Sequence, residues 1–256
     1  MSDVILSASG VSKSFGGVHA VENVSIAVEQ GTIHAVIGPN GAGKTTFFNT
    51  LSGYYFPDAG NVVFRGHDVT REANWKRILL GMSRTFQTPS IFRDLTVGEN
   101  LMIGVQAQEN VAFSMRVPNA ARRSQLEERV DELLGFVNLG RVKDRPVAEL
   151  SHGSQRLCEI ALSLSTNPVM VLLDEPMAGL AEAESARVIG VVRDLRDRLG
   201  LTVLFVEHNM RVVLSVAEKI TVLDRGAMLA EGNPAEISGN EAVREAYLGR
   251  EIIQHV

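Results

Sequence analysis

The octapeptide GPNGAGKT, Gly38–Thr45, constrains this chain more than any other stretch. It fits G-x-x-x-x-G-K-[ST] at every defined position. An apolar run, Thr32–Ile37 (TIHAVI), precedes it and reads as a buried strand; TFFNTLSGYY follows and reads as a helix ending near Gly53. Glycines between a strand and a helix let backbone amides close around phosphate oxygens, and the helix N-terminus adds partial positive charge. Gly38, Asn40, Gly41 and Gly43 are the loop candidates, Lys44 is placed to reach β and γ phosphates, Thr45 to ligate Mg²⁺, and Thr46 joins the nucleotide-binding set. A glycine-rich turn with no ligand is the bland alternative, and the strand–loop–helix setting weighs against it.

A second apolar strand, VMVLLDEP at 169–176, ends in two acids. Asp174 suits Mg²⁺, through water, and Glu175 suits polarising an attacking water. Two carboxylates after a strand also describe an ordinary loop start; the phosphate loop tips the reading toward ATP chemistry. A third strand, LTVLFVEH, ends at a charged pair, Glu207 and His208, where a capping or surface role is the bland reading of His208.

Around these strands, residues 4–37 read as short strands broken by glycine turns, with further strands at 61–64, 81–86, 219–223 and 228–230. Helices are expected over 72–80, 182–199 and the tail from Pro234. Residues 88–167 hold few strands, and Val130, Leu133, Leu134 and Val137, then Leu157, Ile160, Ala161 and Leu164, recur at helical spacing. VPNAARR at 117–123 reads as a surface connection. The expectation is an α/β chain, one domain over 1–256, with a helical subdomain near 88–167 inserted in a strand–helix core.

Composition excludes several classes. The net charge of −5 gives no support to a general nucleic-acid binder. A single cysteine, Cys158, excludes a disulfide framework within the chain and suits a reducing compartment. The N-terminus has no secretory pattern, and no segment approaches the roughly 20 apolar residues that span a bilayer. Cys158, Trp75 and Met102 read as ordinary packing residues. Arg122 and Arg123 read as a solvated pair, with anionic lipid or a partner as the alternative.

Taken together, the motifs resemble the ATP-binding subunits of ABC transporters, in the expected order over nearly the whole chain. The resemblance implies a P-loop NTPase core, an N-terminal antiparallel β subdomain and an inserted helical subdomain. In KSFGG it makes Phe15 the ring that stacks on adenine, against a simple packing role. In RTFQTPS it makes Gln87 the glutamine that senses γ phosphate and Mg²⁺; nothing in composition shows this. VEHNM puts His208 at the switch-histidine position, which implies an imidazole that hydrogen-bonds the γ phosphate and orients water. LSHGSQR matches the signature motif, so Ser151 and Gly153 would bind the γ phosphate held by a second ATPase subunit.

There are two departures. His152 replaces the first signature glycine and reads as a tolerated variant, since no Cys or His lies at ligand spacing. Ala181 stands where the family often has aspartate in the dimer-contact loop, which bears on coupling between sites. RTFQ, LTVGEN, AGL with VEH, and YLGR look most like the branched-chain amino acid importer group. That implies ATP and Mg²⁺ as cofactors, a second and non-identical ATPase subunit, two transmembrane permease subunits, a periplasmic binding protein, and a place on the cytoplasmic face of a bacterial inner membrane. A lipopolysaccharide-type exporter and a non-transport ABC ATPase are the competing readings.

Overall fold

The computed structural model describes residues 3–85, 91–108 and 119–251. A four-stranded antiparallel sheet, in the order β2–β1–β4–β5, holds β1 (Val4–Phe15), β2 (Val18–Glu29), β4 (Ala59–Phe64) and β5 (His67–Asp68). A six-stranded sheet, in the order β10–β9–β3–β8–β7–β6, holds β3 (Ile33–Ile37), β6 (Met82–Arg84), β7 (Met170–Asp174), β8 (Thr202–Val206), β9 (Lys219–Asp224) and β10 (Ala227–Gly232). Its strands are parallel except β10, which closes one edge antiparallel to β9.

The parallel strands are apolar on both faces because both faces are covered. On β3, Ile33, Ala35 and Ile37 join one core while Val36 joins the other; β7 and β8 divide in the same way. One core lies toward the helices α3 (Val97–Gln108), α4 (Ala120–Phe136), α5 (His152–Leu164) and α6 (Glu182–Asp197). The other packs α1 (Lys44–Leu51) between the two sheets through Phe47, Phe48 and Leu51. The apolar positions expected at helical spacing on α4 and α5 are all buried.

Several expectations are corrected. The first two strands are not short: each runs 12 residues, because β1 absorbs Gly10 as a register shift at φ 61° instead of breaking there. Residues 120–123 are not a connection but the first turn of α4, whose Asn119 side chain accepts from the Arg122 amide. Leu199 lies beyond the end of α6 and is exposed, as is Trp75, which faces solvent with Lys76 over its ring. Cys158 and Met102 pack as expected. Helix α7 (Met210–Val216), capped by Asn209, adds to the sequence reading. The tail forms α8 (Pro234–Gly239) and α9 (Glu241–Glu251).

On α2 (Asn74–Leu79), Arg77 is fully buried, and its hydrogen bonds go to backbone carbonyls. Its guanidinium donates to the carbonyls of Thr50 (3.1 Å) and Leu51 (2.5 Å) at the end of α1, and to those of Val69 (2.6 Å) and Glu72 (3.0 Å). Burial lowers its pKa to about 10, so it stays charged near neutrality.

Candidate functional site

β3 delivers the chain into the loop at Gly38, where a Cβ would lie 2.1 Å from the Leu223 carbonyl oxygen, so only glycine fits. At Gly43, φ is 92° and a Cβ would lie 2.2 Å from the Ala20 carbonyl oxygen. Gly43 is the N-cap of α1 and no side chain caps it, which leaves the first amides of α1 directed at the loop interior. The Lys44 ammonium is buried and folds back over the loop, donating to the carbonyls of Gly38 (2.7 Å) and Pro39 (3.0 Å).

A cleft of about 360 Å³ opens here, lined by Asn40, Gly41, Gly43, Lys44, Thr45, Thr46 and Glu175, with Val18, His19 and Ala20 from β2 as the opposing wall. Glu175 is far from the loop in sequence. Strand order brings it there, since β7 lies one strand from β3 with β8 between.

Asp174 and Val206 are register partners, so β7 and β8 end at one level. Asp174 is buried; its Oδ2 accepts from Arg84 Nη2 at 2.8 Å, while its Oδ1 has no hydrogen-bond partner among the described residues. A buried, unpartnered carboxylate oxygen fits a hydrated divalent cation. Glu175 adopts φ 45°, a costly backbone state for a non-glycine residue. Three hydrogen bonds hold it there: its amide donates to the Val206 carbonyl (3.0 Å), and its own carbonyl accepts from Ala178 (3.1 Å) and Arg156 (3.3 Å). The effect is to turn the carboxylate off the strand end. His208 Nδ1 lies 3.9 Å from Glu175 Oε1.

Glu207 was not among the predicted site residues, yet it organises this corner. It is buried, and its two oxygens accept separately from the Met177 amide (2.9 Å) and the His208 amide (3.2 Å). Burial raises its carboxyl above the usual range. A charged residue closing an apolar strand was the available signal.

Other expected residues stand apart. Phe15 is exposed at the end of β1, 5.2 Å edge-on to Tyr55, and does not line the cleft. Ser151 and Gly153 lie at the start of α5, away from the cleft walls, with Ser151 as its N-cap. His152 is exposed there, and no metal-holding cluster of His, Cys, Asp or Glu occurs among the described residues. Gln87 lies outside the described residues.

The same assembly of motifs recurs in known proteins. Residues 21–178 match the ABC transporter family, and residues 227–252 match the C-terminal module described as branched-chain amino acid ATP-binding cassette transporter. The chain is 39% identical over 254 residues to the high-affinity branched-chain amino acid transport ATP-binding protein BraF of Pseudomonas aeruginosa, covering 97% of this chain and 99% of that one. It is 38% identical to the LivG protein of Salmonella typhimurium, described in the same words, with the same coverage. Among solved structures, a nucleotide-free ATP-binding cassette from an ABC transporter superposes with a TM-score of 0.84 at 32% identity, over 96% of this chain and 99% of that one. The ADP conformation of an ATP-binding cassette of an ABC transporter gives the same TM-score at 33% identity and the same coverage.

Proposed function

Because the chain belongs to the ABC transporter ATP-binding family, we propose that it hydrolyses ATP to power import of amino acids as the cytoplasmic nucleotide-binding subunit of a membrane complex. The observation that carries the chemistry is the cleft in which the phosphate loop and Glu175 meet. Lys44 neutralises the β and γ phosphates, and the amides at the start of α1 donate to their oxygens. Glu175 takes a proton from the attacking water as the bond from γ phosphorus to the ADP oxygen breaks. His208 and Gln87 position the γ phosphate and that water. Thr45, Gln87 and Asp174 would hold Mg²⁺, which offsets phosphate charge when bound; the Oδ1 of Asp174, without a partner among the described residues, supports this. Phe15 stacks on adenine from the exposed end of β1.

Ser151 and Gly153 serve a nucleotide held by a second ATPase subunit, so a complete site needs two subunits placed head to tail. ATP holds them together, and the difference in binding between ATP and ADP states drives the cycle. The membrane partner docks on a largely apolar groove of about 220 Å³ between α2, β6, α3 and α5, lined by Ile78, Thr85, Ile91, Gly104 and Leu162. Leu79, Phe92 and Ile103 are exposed on or beside these elements. No helix among the described residues is long and apolar enough to cross a membrane, so attachment through permease subunits fits. The C-terminal module match favours amino acid import over export.

Purification of this chain from mild-detergent extracts of native membranes tests the reading. The expected companions are two multi-span subunits, a related ATPase and a binding protein. Export-type subunits, or soluble ribosomal or DNA-bound partners alone, would overturn the importer assignment.

A further inference from the structure

The start of α5 already holds an anion. Ser151 caps the helix with its side chain. The Gly153 amide donates to Oε1 of Glu184, on the first turn of α6, at 3.2 Å. The fit is close: a Cβ at Gly153 would lie 2.8 Å from the Glu184 Cβ and 2.9 Å from its Oε1. The Ser151 hydroxyl, then the amides of Gly153 and Ala181, hold the Glu184 carboxyl below its ordinary range, and Arg187 Nη2 stands 3.7 Å away. A carboxylate oxygen on a helix-start amide makes the contact that a phosphate oxygen makes on the same donor.

We propose that Glu184 is an internal competitor for nucleotide: its carboxylate rests on the Gly153 amide beside the Ser151 cap, and the γ phosphate carried by the second ATPase subunit displaces it. This rests on reading Ser151 and Gly153 as the contact to that second nucleotide. Two anions do not share one amide, because each repels the other where both are desolvated. Subunit closure therefore turns the Glu184 side chain away, and Arg187, 3.7 Å from it, is a cation placed to receive it. Glu184 is thus a residue that sets affinity. It raises the ATP concentration that turnover requires while leaving the phosphate loop, whose cleft it does not line, untouched. Gly153 is glycine because the acid needs that space.

The test uses the membrane complex purified through a tag on this chain, with ATPase rates measured over a range of ATP. Glu184→Gln keeps the shape at Gly153 and removes the charge. Its KM for ATP falls about threefold to tenfold, while the isolated chain binds ATP by calorimetry as the wild type does. Glu184→Ala moves KM in the same direction and keeps the test open if the glutamine variant fails to assemble. An unchanged or raised KM in the assembled variants overturns the proposal. Ser151→Ala separates the two layers. If it raises KM while the Glu184 variants change nothing, only the competitor role falls. If it leaves KM and kcat at wild-type values, the reading of Ser151 falls and the proposal with it.

Discussion

The starts of helices α1 and α5 are finished in opposite ways. α1 begins at Gly43, with a left-handed backbone, no capping side chain and the Lys44 ammonium folded over the loop. α5 begins at Ser151, capped by its own hydroxyl and closed by the carboxylate of Glu184. A helix pole contributes only about 0.3–1 kcal/mol to an anion at an exposed site, so the groups around the pole decide what it binds. At α1 a cation adds to the pole and the seat suits triphosphate within one chain. At α5 an acid of the same chain already uses the pole, and under the proposed reading a nucleotide arriving from outside has to compete.

The contrast breaks hardest at the charges around α1. Glu175→Gln is expected to slow phosphate release about a thousandfold with ATP still bound and a dimer trapped; wild-type turnover would remove Glu175 as the base. Lys44→Ala is expected to weaken ATP binding about a hundredfold, roughly 2.7 kcal/mol, and unchanged affinity in titration calorimetry would sink the assignment. Gly43→Ala puts a Cβ 2.2 Å from a backbone carbonyl at φ 92°. Its expected cost is about 2 kcal/mol of stability in urea melts. Ser151→Ala removes a cap from α5 and costs about 1 kcal/mol in the same melts; equal losses at Gly43 and Ser151 would erase the distinction between the two starts. His152→Gly is the smallest, with turnover staying within about tenfold, or about 1.4 kcal/mol. Complete loss of activity there would make the exposed His152 part of the chemistry.

The two starts also differ in how far they could be read from sequence. The α1 loop is contiguous, so Gly38–Thr45 announced the turn, the helix and the cation together. Asp174 and Glu175 were legible because an apolar run stops abruptly at them. The contact of Glu184 with Gly153 was not, since it depends on α6 packing on α5 and no local pattern encodes that. Glu207 was seen only as a neighbour of His208; its bond to the Met177 amide exists because β7 and β8 end at one level. Phe15 was placed by resemblance, and its edge-on partner Tyr55 comes from the turn after α1. Among the strands, the misreading came from Gly10, which a sheet accommodates as a register shift and a sequence shows as a break. Helix α7 is seven residues long, too short for periodicity to register.

The buried Arg77 gives α1 one more property. Its guanidinium sits on the last carbonyls of the helix, so the negative pole of α1 is cancelled inside the protein and not by water. Dissolved ions screen charges they can approach, and they cannot approach this end. The field that α1 projects into the cleft therefore loses less to added salt than that of a helix whose C-terminus is open to solvent. Nucleotide affinity in this chain inherits a component that ionic strength leaves in place.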